Sequence, residues 1–152
     1  MDEITDQIWI SDIQGVRQGN TQRFDSVIGV CQDDCGANVG GEYYHFNMAD
    51  GVQEGHVPGN NSYVLFEEAV ERLVERVQDG DTVLVHCHAG RSRSASVIIS
   101  ALAYLEGWTY DESRNYVSAR RNIRPDETLV SHTKRYISEN VGEIVMPPPE
   151  DQ

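Results

Sequence analysis

The feature that most constrains this chain is a short apolar run that leads through a tight loop into a helix. Residues 82–86 are nearly continuous in apolar and β-branched side chains, which predicts a strand buried at the centre of a sheet. Residues 94–106 place apolar side chains at helical spacing and stop at Gly107, which predicts a helix. A strand, a loop and a helix in this order predict an α/β domain whose ligand lies at the carboxyl end of the strand.

The remaining apolar periodicity predicts further strands and helices around this unit. The expected elements are strands at 8–10, 26–31 and 43–46, and helices at 60–78, 110–121 and 127–141. In the helix at 60–78, the predicted apolar face begins at Val64. We therefore expect a single α/β domain over residues 1–145, with a central, mostly parallel sheet flanked by helices. Residues 146–152 contain three consecutive prolines and are expected to form a flexible tail.

Charge is strongly negative and unevenly placed along the chain. There are 25 acidic and 12 basic residues, giving a net charge of -13, and all but one of the basic residues are arginines. Such acidity disfavours nucleic acid as a partner, because phosphate backbones require a basic surface. It also predicts a halophilic organism, since high salt screens the self-repulsion of an acidic protein. Residues 87–125 differ, with six arginines against three acidic residues, which predicts an anion-binding segment.

Cysteine content and hydropathy predict a cytoplasmic protein without a membrane partner, and the oligomeric state stays open. Three cysteines are too few for a disulfide scaffold. No run reaches the ~18 apolar residues that span a bilayer, and residues 1–11 lack the pattern of a signal peptide. Cys31 is expected to be a small buried hydrophobe, and a zinc site in which the three cysteines are joined by a fourth ligand such as His45 is a less favoured alternative.

The residues that carry chemistry lie in the segment 86–94, H-C-H-A-G-R-S-R-S. The amides of a loop that winds into a helix N-terminus point inward and bind anions, and Gly90 permits the tight turn. Arg93 can bind two phosphate oxygens at once, while the same amides favour a nucleophilic thiolate at Cys87. The expected phosphate-binding residues are His88, Ala89, Gly90, Arg91, Ser92 and Arg93.

This segment resembles the active-site loop of the dual-specificity protein phosphatases, whose pattern is H-C-x-x-G-x-x-R-S. All five specified positions match. The resemblance extends over residues 4–140, where residues 83–85 look like the strand before the loop, residues 103–105 like the helix after it, and residues 121–125 like the segment before the last helix. It implies the cysteine-phosphatase fold, no cofactor and no metal. It also implies a phosphorylated protein as substrate, with phosphotyrosine, phosphoserine and phosphothreonine all within its range.

The resemblance further implies a role for each residue around the nucleophile. Cys87 would attack phosphorus, while Arg93 and the loop amides stabilise the phosphate oxygens. Ser94 would hydrogen-bond the leaving thiolate in the second step, and His86 would order the loop from behind. A carboxylic acid would protonate the leaving oxygen and then act as base for the hydrolytic water.

Asp50 occupies the family's position for this general acid, and Asp33, Asp34 and Glu54 are less favoured substitutes. Two departures from the family pattern accompany this assignment. The stretch from Asp50 to Cys87 is a few residues longer than usual. Asp126 also stands where the family has an asparagine that braces the active-site loop, a task for which Asp could still accept from backbone amides.

Three other functions remain open from the sequence. The first is a phosphatase for a non-protein phosphoester, such as an inositol phosphate, a nucleotide or an RNA 5′-end, because His88 and Arg91 stand where lipid-type members carry two lysines. The second is a non-catalytic phosphate-binding module, which intact Cys87, Arg93 and Ser94 disfavour. The third is a sulfurtransferase, which would leave His86 and Ser94 unexplained.

Overall fold

A five-stranded sheet lies at the centre of the computed structural model, which describes residues 1–49 and 61–141. Its strands are β1 (Asp2–Glu3), β2 (Ile8–Ser11), β3 (Ser26–Gly29), β4 (Glu42–His45) and β5 (Val83–His86). Their order across the sheet is β1-β2-β5-β3-β4. β1 pairs antiparallel with β2, and the other three pairs are parallel.

Helices pack around this sheet. Within the described residues they are α1 (Ile13–Arg17), α2 (Tyr63–Gln78), α3 (Arg93–Glu106), α4 (Tyr110–Ser118) and α5 (Glu127–Asn140), with a 3₁₀ turn at Gly36–Asn38. α3 is the central helix: its residues 93–103 are all buried, and it packs against α2, α4 and α5. The predicted α/β architecture, a mostly parallel sheet flanked by helices, is confirmed. No helix in the described part of the chain is long and apolar enough to cross a membrane.

The strand β5 is the structural centre of the domain. It is buried along its whole length and pairs with β2 on one side and β3 on the other, with Val85 opposite both Ile10 and Ile28. Its carboxyl end therefore opens between two neighbouring parallel strands, which is where parallel sheets place their ligands. Cys87 directly follows this end, and the loop beyond it leads into α3.

The buried face of α2 differs from the prediction. Ser62 caps the helix by accepting a hydrogen bond from the Leu65 amide, so that the helix begins at Tyr63. Tyr63 and Phe66 then head the buried face, while Val64 is 63% exposed. The prediction that Val64 begins the apolar face is therefore wrong.

Other boundaries also shift. α4 ends at Ser118 rather than at Arg121, because the Arg120 and Arg121 amides both donate to the Val117 carbonyl and form a turn. The strand predicted at 26–31 ends at Gly29, and β1 and α1 were not predicted. The predicted tail at 146–152 and the end of the predicted domain at residue 145 lie outside the described residues.

Candidate active site

A cavity of about 220 Å³ lies at the carboxyl end of β5. It is lined by Cys87, His88, Ala89, Arg91, Ser92, Arg93 and Arg124. The structure thus brings together most of the loop that the sequence singled out, and it adds Arg124, which the sequence did not assign to a site.

The loop carbonyls point away from this cavity and bond to the surrounding scaffold. The bonds run from Ile13 N to His88 O at 2.9 Å, from Arg121 Nη2 to Ala89 O at 3.1 Å, from Arg121 Nε to Gly90 O at 2.7 Å, and from Arg124 N to Arg91 O at 2.8 Å. In a planar trans peptide the N–H points opposite to the C=O. The amides of residues 89–92 are therefore turned toward the inside of the loop, which is an anion cradle.

Gly90 is required at its position in this loop. Its φ is +70°, a conformation that side chains resist, and a Cβ atom there would lie 2.6 Å from Arg121 Nη2 and 2.7 Å from the Ser11 carbonyl oxygen. The same residue donates its amide hydrogen to Cys87 Sγ at 3.2 Å. Because Gly90 has no side chain, the loop backbone comes close to Arg121 and Ser11 on its outer side and to the Cys87 thiol on its inner side.

Cys87 lies at the floor of the cavity and is 2% exposed. Its Sγ lies 3.2 Å from Ser94 Oγ and 3.2 Å from the Gly90 amide nitrogen. A hydroxyl and an amide thus contact this one sulfur, and the N-terminus of α3 lies just beyond it. The structure thus places the Ser94 hydroxyl, to which the resemblance assigns the leaving thiolate, beside Cys87 Sγ.

The Arg93 guanidinium is held against the ends of two neighbouring strands. Its Nη1 donates to Gln32 Oε1 at 2.8 Å and to the Met48 carbonyl at 3.0 Å. Its Nε is buried and has no hydrogen-bond partner among the described residues. The two hydrogen bonds hold Nη1 of the guanidinium in place. The buried Nε–H remains as a donor from which a phosphate oxygen could accept a hydrogen bond.

His86 is buried behind Cys87 and is hydrogen-bonded at both ring nitrogens. Its Nδ1 lies 3.3 Å from the Cys87 carbonyl oxygen, and its Nε2 lies 3.0 Å from the Tyr43 hydroxyl. Because a carbonyl only accepts, Nδ1 carries the proton and the Tyr43 hydroxyl donates to Nε2. Burial lowers the pKa of His86 to about 4, so the ring is neutral near pH 7. Sequence reasoning missed Tyr43, whose role depends on its contact across the sheet.

Asp126 supports the loop from the start of α5. Its amide donates to Ser92 Oγ at 2.9 Å, and its carboxylate accepts from the Thr128 amide at 2.9 Å. The carboxylate is thus the N-cap of α5 and accepts from the first turn of that helix, while the backbone amide of Asp126 makes the contact with the loop.

Two of the four candidate general acids, Asp33 and Asp34, lie in the described part of the chain. Asp50 and Glu54 lie outside the described residues. Asp33 lies beside the cavity, where its Oδ2 is 3.5 Å from His88 Nε2 and 3.4 Å from Arg17 Nη2. The Asp34 carboxylate instead accepts from the Gly36 amide.

The other two cysteines are buried free thiols. Burial raises the pKa of Cys31 to about 11, so it is a neutral thiol near pH 7. The His45 Nε2 contacts the Cys31 carbonyl oxygen at 2.8 Å. Among residues 1–49 and 61–141 no group of three or more His, Cys, Asp or Glu side chains is arranged to hold a metal.

Comparisons with known proteins agree with this geometry. The family described as "Dual specificity phosphatase, catalytic domain" matches residues 11–137, which is most of the chain. The chain belongs to the dual-specificity phosphatase family. The match spans the sheet from the end of β2, the loop at 87–93 and nearly all of α5, and it confirms the predicted class of cysteine-dependent phosphatase domain.

Individual dual-specificity and tyrosine phosphatases match parts of the chain. Over 65 residues it is 38% identical to AMV078 of Amsacta moorei entomopoxvirus, named as a tyrosine-protein phosphatase, with 43% of this chain and 39% of that protein covered. Over 66 residues it is 36% identical to the protein-tyrosine-phosphatase IBR5 of Arabidopsis thaliana, with 43% and 26% covered. The chain covers less than half the length of either relative.

The fold of this dual-specificity phosphatase is similar to that of solved structures. Human DUSP28 has a TM-score of 0.77 and 17% sequence identity, with 94% of this chain and 99% of that chain covered. At that identity the likeness concerns the fold.

Two arginines at the site were not identified from the sequence. Arg121 and Arg124 follow α4, and one supports the loop while the other lines the cavity. The excess of arginine over acidic residues at 87–125 was the signal that could have indicated both.

Proposed function

We propose that this domain hydrolyses phosphate monoesters of phosphoproteins through a cysteinyl-phosphate intermediate, with phosphotyrosine as the first substrate to test and phosphoserine and phosphothreonine as the next. The observation that carries the proposal is the placement of Cys87 Sγ within 3.2 Å of both Ser94 Oγ and the Gly90 amide, at the floor of a loop whose amides turn inward. The viral and the plant relative are both named tyrosine phosphatases, which supports phosphotyrosine proteins as the substrate class.

In the first step the Cys87 thiolate attacks phosphorus, and the bond from phosphorus to the ester oxygen breaks. The loop amides and Arg93 stabilise the three remaining phosphate oxygens, whose charge redistributes in the transition state. The buried Nε of Arg93 supports this role, since its Nη1 is already engaged by Gln32 and Met48. We assign protonation of the leaving oxygen to Asp50 from its place in the sequence.

In the second step a water molecule attacks the phosphocysteine, and the bond between phosphorus and sulfur breaks. Asp50, now a carboxylate, would take the proton from this water. Ser94 would stabilise the departing thiolate, and its 3.2 Å approach to Cys87 Sγ supports that role. Inorganic phosphate leaves, and the thiolate is ready for a further cycle.

The composition supports two proposals about where the enzyme works. A net charge of -13 with a single lysine is typical of proteins from high salt, so we propose a halophilic source. All three cysteines are free thiols, one of them the proposed nucleophile, and a reducing compartment such as the cytoplasm would keep them reduced.

The decisive experiment is the Cys87→Ser variant, assayed with phosphotyrosine peptides and an aryl phosphate and titrated with orthovanadate. Turnover should fall below detection, while vanadate still binds, because the amide cradle and Arg93 remain. Cys35→Ser is the matched control, since it replaces another buried free thiol with the same atoms. Activity of Cys87→Ser within tenfold of the wild type would refute the proposal.

A further inference from the structure

Nearly every basic side chain of this acidic protein is paired within the described residues. The pairs are Arg17 with Asp33, Arg23 with Trp9, Arg72 with Glu75, Arg76 with Asp79, Arg93 with Gln32, Arg114 with Tyr110, Arg120 with Tyr116, Arg121 with Asp2, Lys134 with Tyr110, and Arg135 with Glu139. Arg91 and Arg124 differ, since neither side chain has a hydrogen bond, ion pair or aromatic partner within residues 1–49 and 61–141.

These two arginines belong to one place on the surface. Both are exposed, and both line the cavity that has Cys87 at its floor. The Arg124 amide donates to the Arg91 carbonyl at 2.8 Å, so that the two residues are joined through their backbones. The two basic side chains without a partner among the described residues therefore stand together beside the proposed reaction centre.

The electrostatics of this pair favour a bound anion. Arg91 and Arg124 bring two positive charges to the lining of one cavity, and neither is compensated by a described carboxylate although the chain carries 25 acidic residues. An anionic group bound at this lining would supply the missing counter-charge. The planar guanidinium also matches a carboxylate in a two-point contact.

The size of the cavity indicates where that anion comes from. At about 220 Å³ it is smaller than the ~300–1,000 Å³ typical of small-molecule sites. A cavity of this size has room for the scissile phosphate and the group next to it, so the rest of a larger substrate would lie at its rim, where Arg91 and Arg124 are exposed. An extended peptide places the side chains next to its phosphorylated residue in this position.

We propose that Arg91 and Arg124 form a second anion-binding subsite that selects phosphopeptides with an acidic side chain beside the phosphorylated residue. This inference rests on the proposed phosphatase function. Arg91 and Arg124 are thus specificity-determining residues, which act on the affinity for the substrate's flanks rather than on the bond that breaks.

The test compares three phosphotyrosine peptides of equal length, with neutral, aspartate or lysine flanks, at low ionic strength. The wild type should prefer the aspartate peptide to the neutral one by roughly three- to twentyfold in kcat/KM, mostly through KM. Arg124→Gln and Arg91→Gln should each reduce this ratio, and the double variant should bring it to one or below, because the rest of the protein is negative. Salt near 1 M should also reduce the ratio, since exposed charges are screened.

The control is Arg120→Gln, which makes the same change in net charge at an arginine that packs on Tyr116. This variant should keep the preference. An equal loss of preference in Arg120→Gln would show that net charge and not the subsite is responsible, and would overturn the inference.

Two further outcomes separate this inference from the proposed function. A wild type that hydrolyses all three peptides and the aryl phosphate without preference would overturn the subsite and leave the phosphatase function intact. A wild type that hydrolyses none of them would overturn both. Preference for an inositol bisphosphate over its monophosphate, without discrimination among the peptides, would overturn the assignment to peptides.

Discussion

The guanidinium of Arg121 and the carbonyl of Gly90 are joined by a 2.7 Å hydrogen bond beneath the loop at residues 87–93. The same side chain donates to the Ala89 carbonyl at 3.1 Å and to the Asp2 carboxylate at 2.8 Å. Arg121, which lies beyond the end of α4, thus fixes two successive peptide planes of the loop and ties them to β1. The inward direction of the loop amides depends on these bonds.

We predict that Arg121→Gln weakens oxyanion binding as well as the fold. Loss of charge-assisted bonds to two loop carbonyls should cost roughly 1–3 kcal/mol of stability. Because the loop amides lose their fixed direction, vanadate affinity and kcat should each fall about tenfold or more. Urea unfolding and vanadate titration measure the two effects. Arg120→Gln is the control, and a loss of stability at unchanged vanadate affinity would contradict the prediction.

A second prediction concerns the pH dependence of stability. Burial lowers the pKa of His86 to about 4 in the folded protein, against an ordinary value near 6.5. As pH falls below 6.5 the unfolded chain takes up a proton at this residue and the folded protein does not, so stability falls between about pH 6.5 and pH 4. The loss attributable to His86 is on the order of 3 kcal/mol at the acid end of this window.

His86→Gln should remove this part of the pH dependence, because an amide does not titrate. The measurement is the free energy of unfolding in urea from pH 4 to pH 7.5, taken as the difference between variant and wild type at each pH. His88→Gln, at an exposed imidazole beside the cavity, is the control. A difference that stays constant with pH in His86→Gln would contradict the prediction.

The loop could be predicted from the sequence because its contacts are local. Cys87 meets the Gly90 amide three residues on, which the strand–loop–helix pattern indicates, and the Ser94 hydroxyl seven residues on, which the family resemblance implies. Its supports could not be predicted. Arg121 reaches Gly90 from 31 residues away, and Tyr43 reaches His86 from 43 residues away, and no local pattern encodes such contacts.

The error in α2 has a different cause. Tyr63, Val64, Leu65 and Phe66 are all apolar, so periodicity permits more than one buried face at this end of the helix. The Ser62 cap and the packing of the two aromatic rings decide between them, and Val64 is left exposed. Helix propensity decides that a helix forms here, whereas tertiary packing decides which of its faces is buried.

A third prediction concerns salt. The net charge of -13 opposes the compact state through self-repulsion, and dissolved ions screen it. The midpoint of thermal unfolding should therefore rise between low and molar potassium chloride, with activity on a small aryl phosphate retained. Differential scanning calorimetry at several salt concentrations measures this directly. A midpoint that falls as potassium chloride is added would refute the prediction.

A fourth prediction concerns the general acid, which the sequence places at Asp50. Protonation matters most when the leaving oxygen is a poor leaving group, such as a tyrosinate, and matters little when the phenol is already acidic. Asp50→Asn should therefore lose ~100- to 10,000-fold in kcat/KM on phosphotyrosine peptides and far less on an activated aryl phosphate. Steady-state kinetics over a series of aryl phosphates of increasing phenol pKa measures the dependence.

The controls for Asp50 make the same charge change elsewhere. Asp33→Asn is the sharper one, because the Asp33 carboxylate lies 3.5 Å from His88 beside the cavity, whereas the Asp34 carboxylate is engaged with the Gly36 amide. Asp33→Asn and Asp34→Asn should each change the rates on good and poor leaving groups equally. If Asp33→Asn or Glu54→Gln shows the steep dependence instead, the acid is that residue, and the longer stretch between Asp50 and Cys87 has shifted the family's alignment. If Asp50→Asn loses equally on both substrate types, Asp50 contributes to binding and does not transfer the proton.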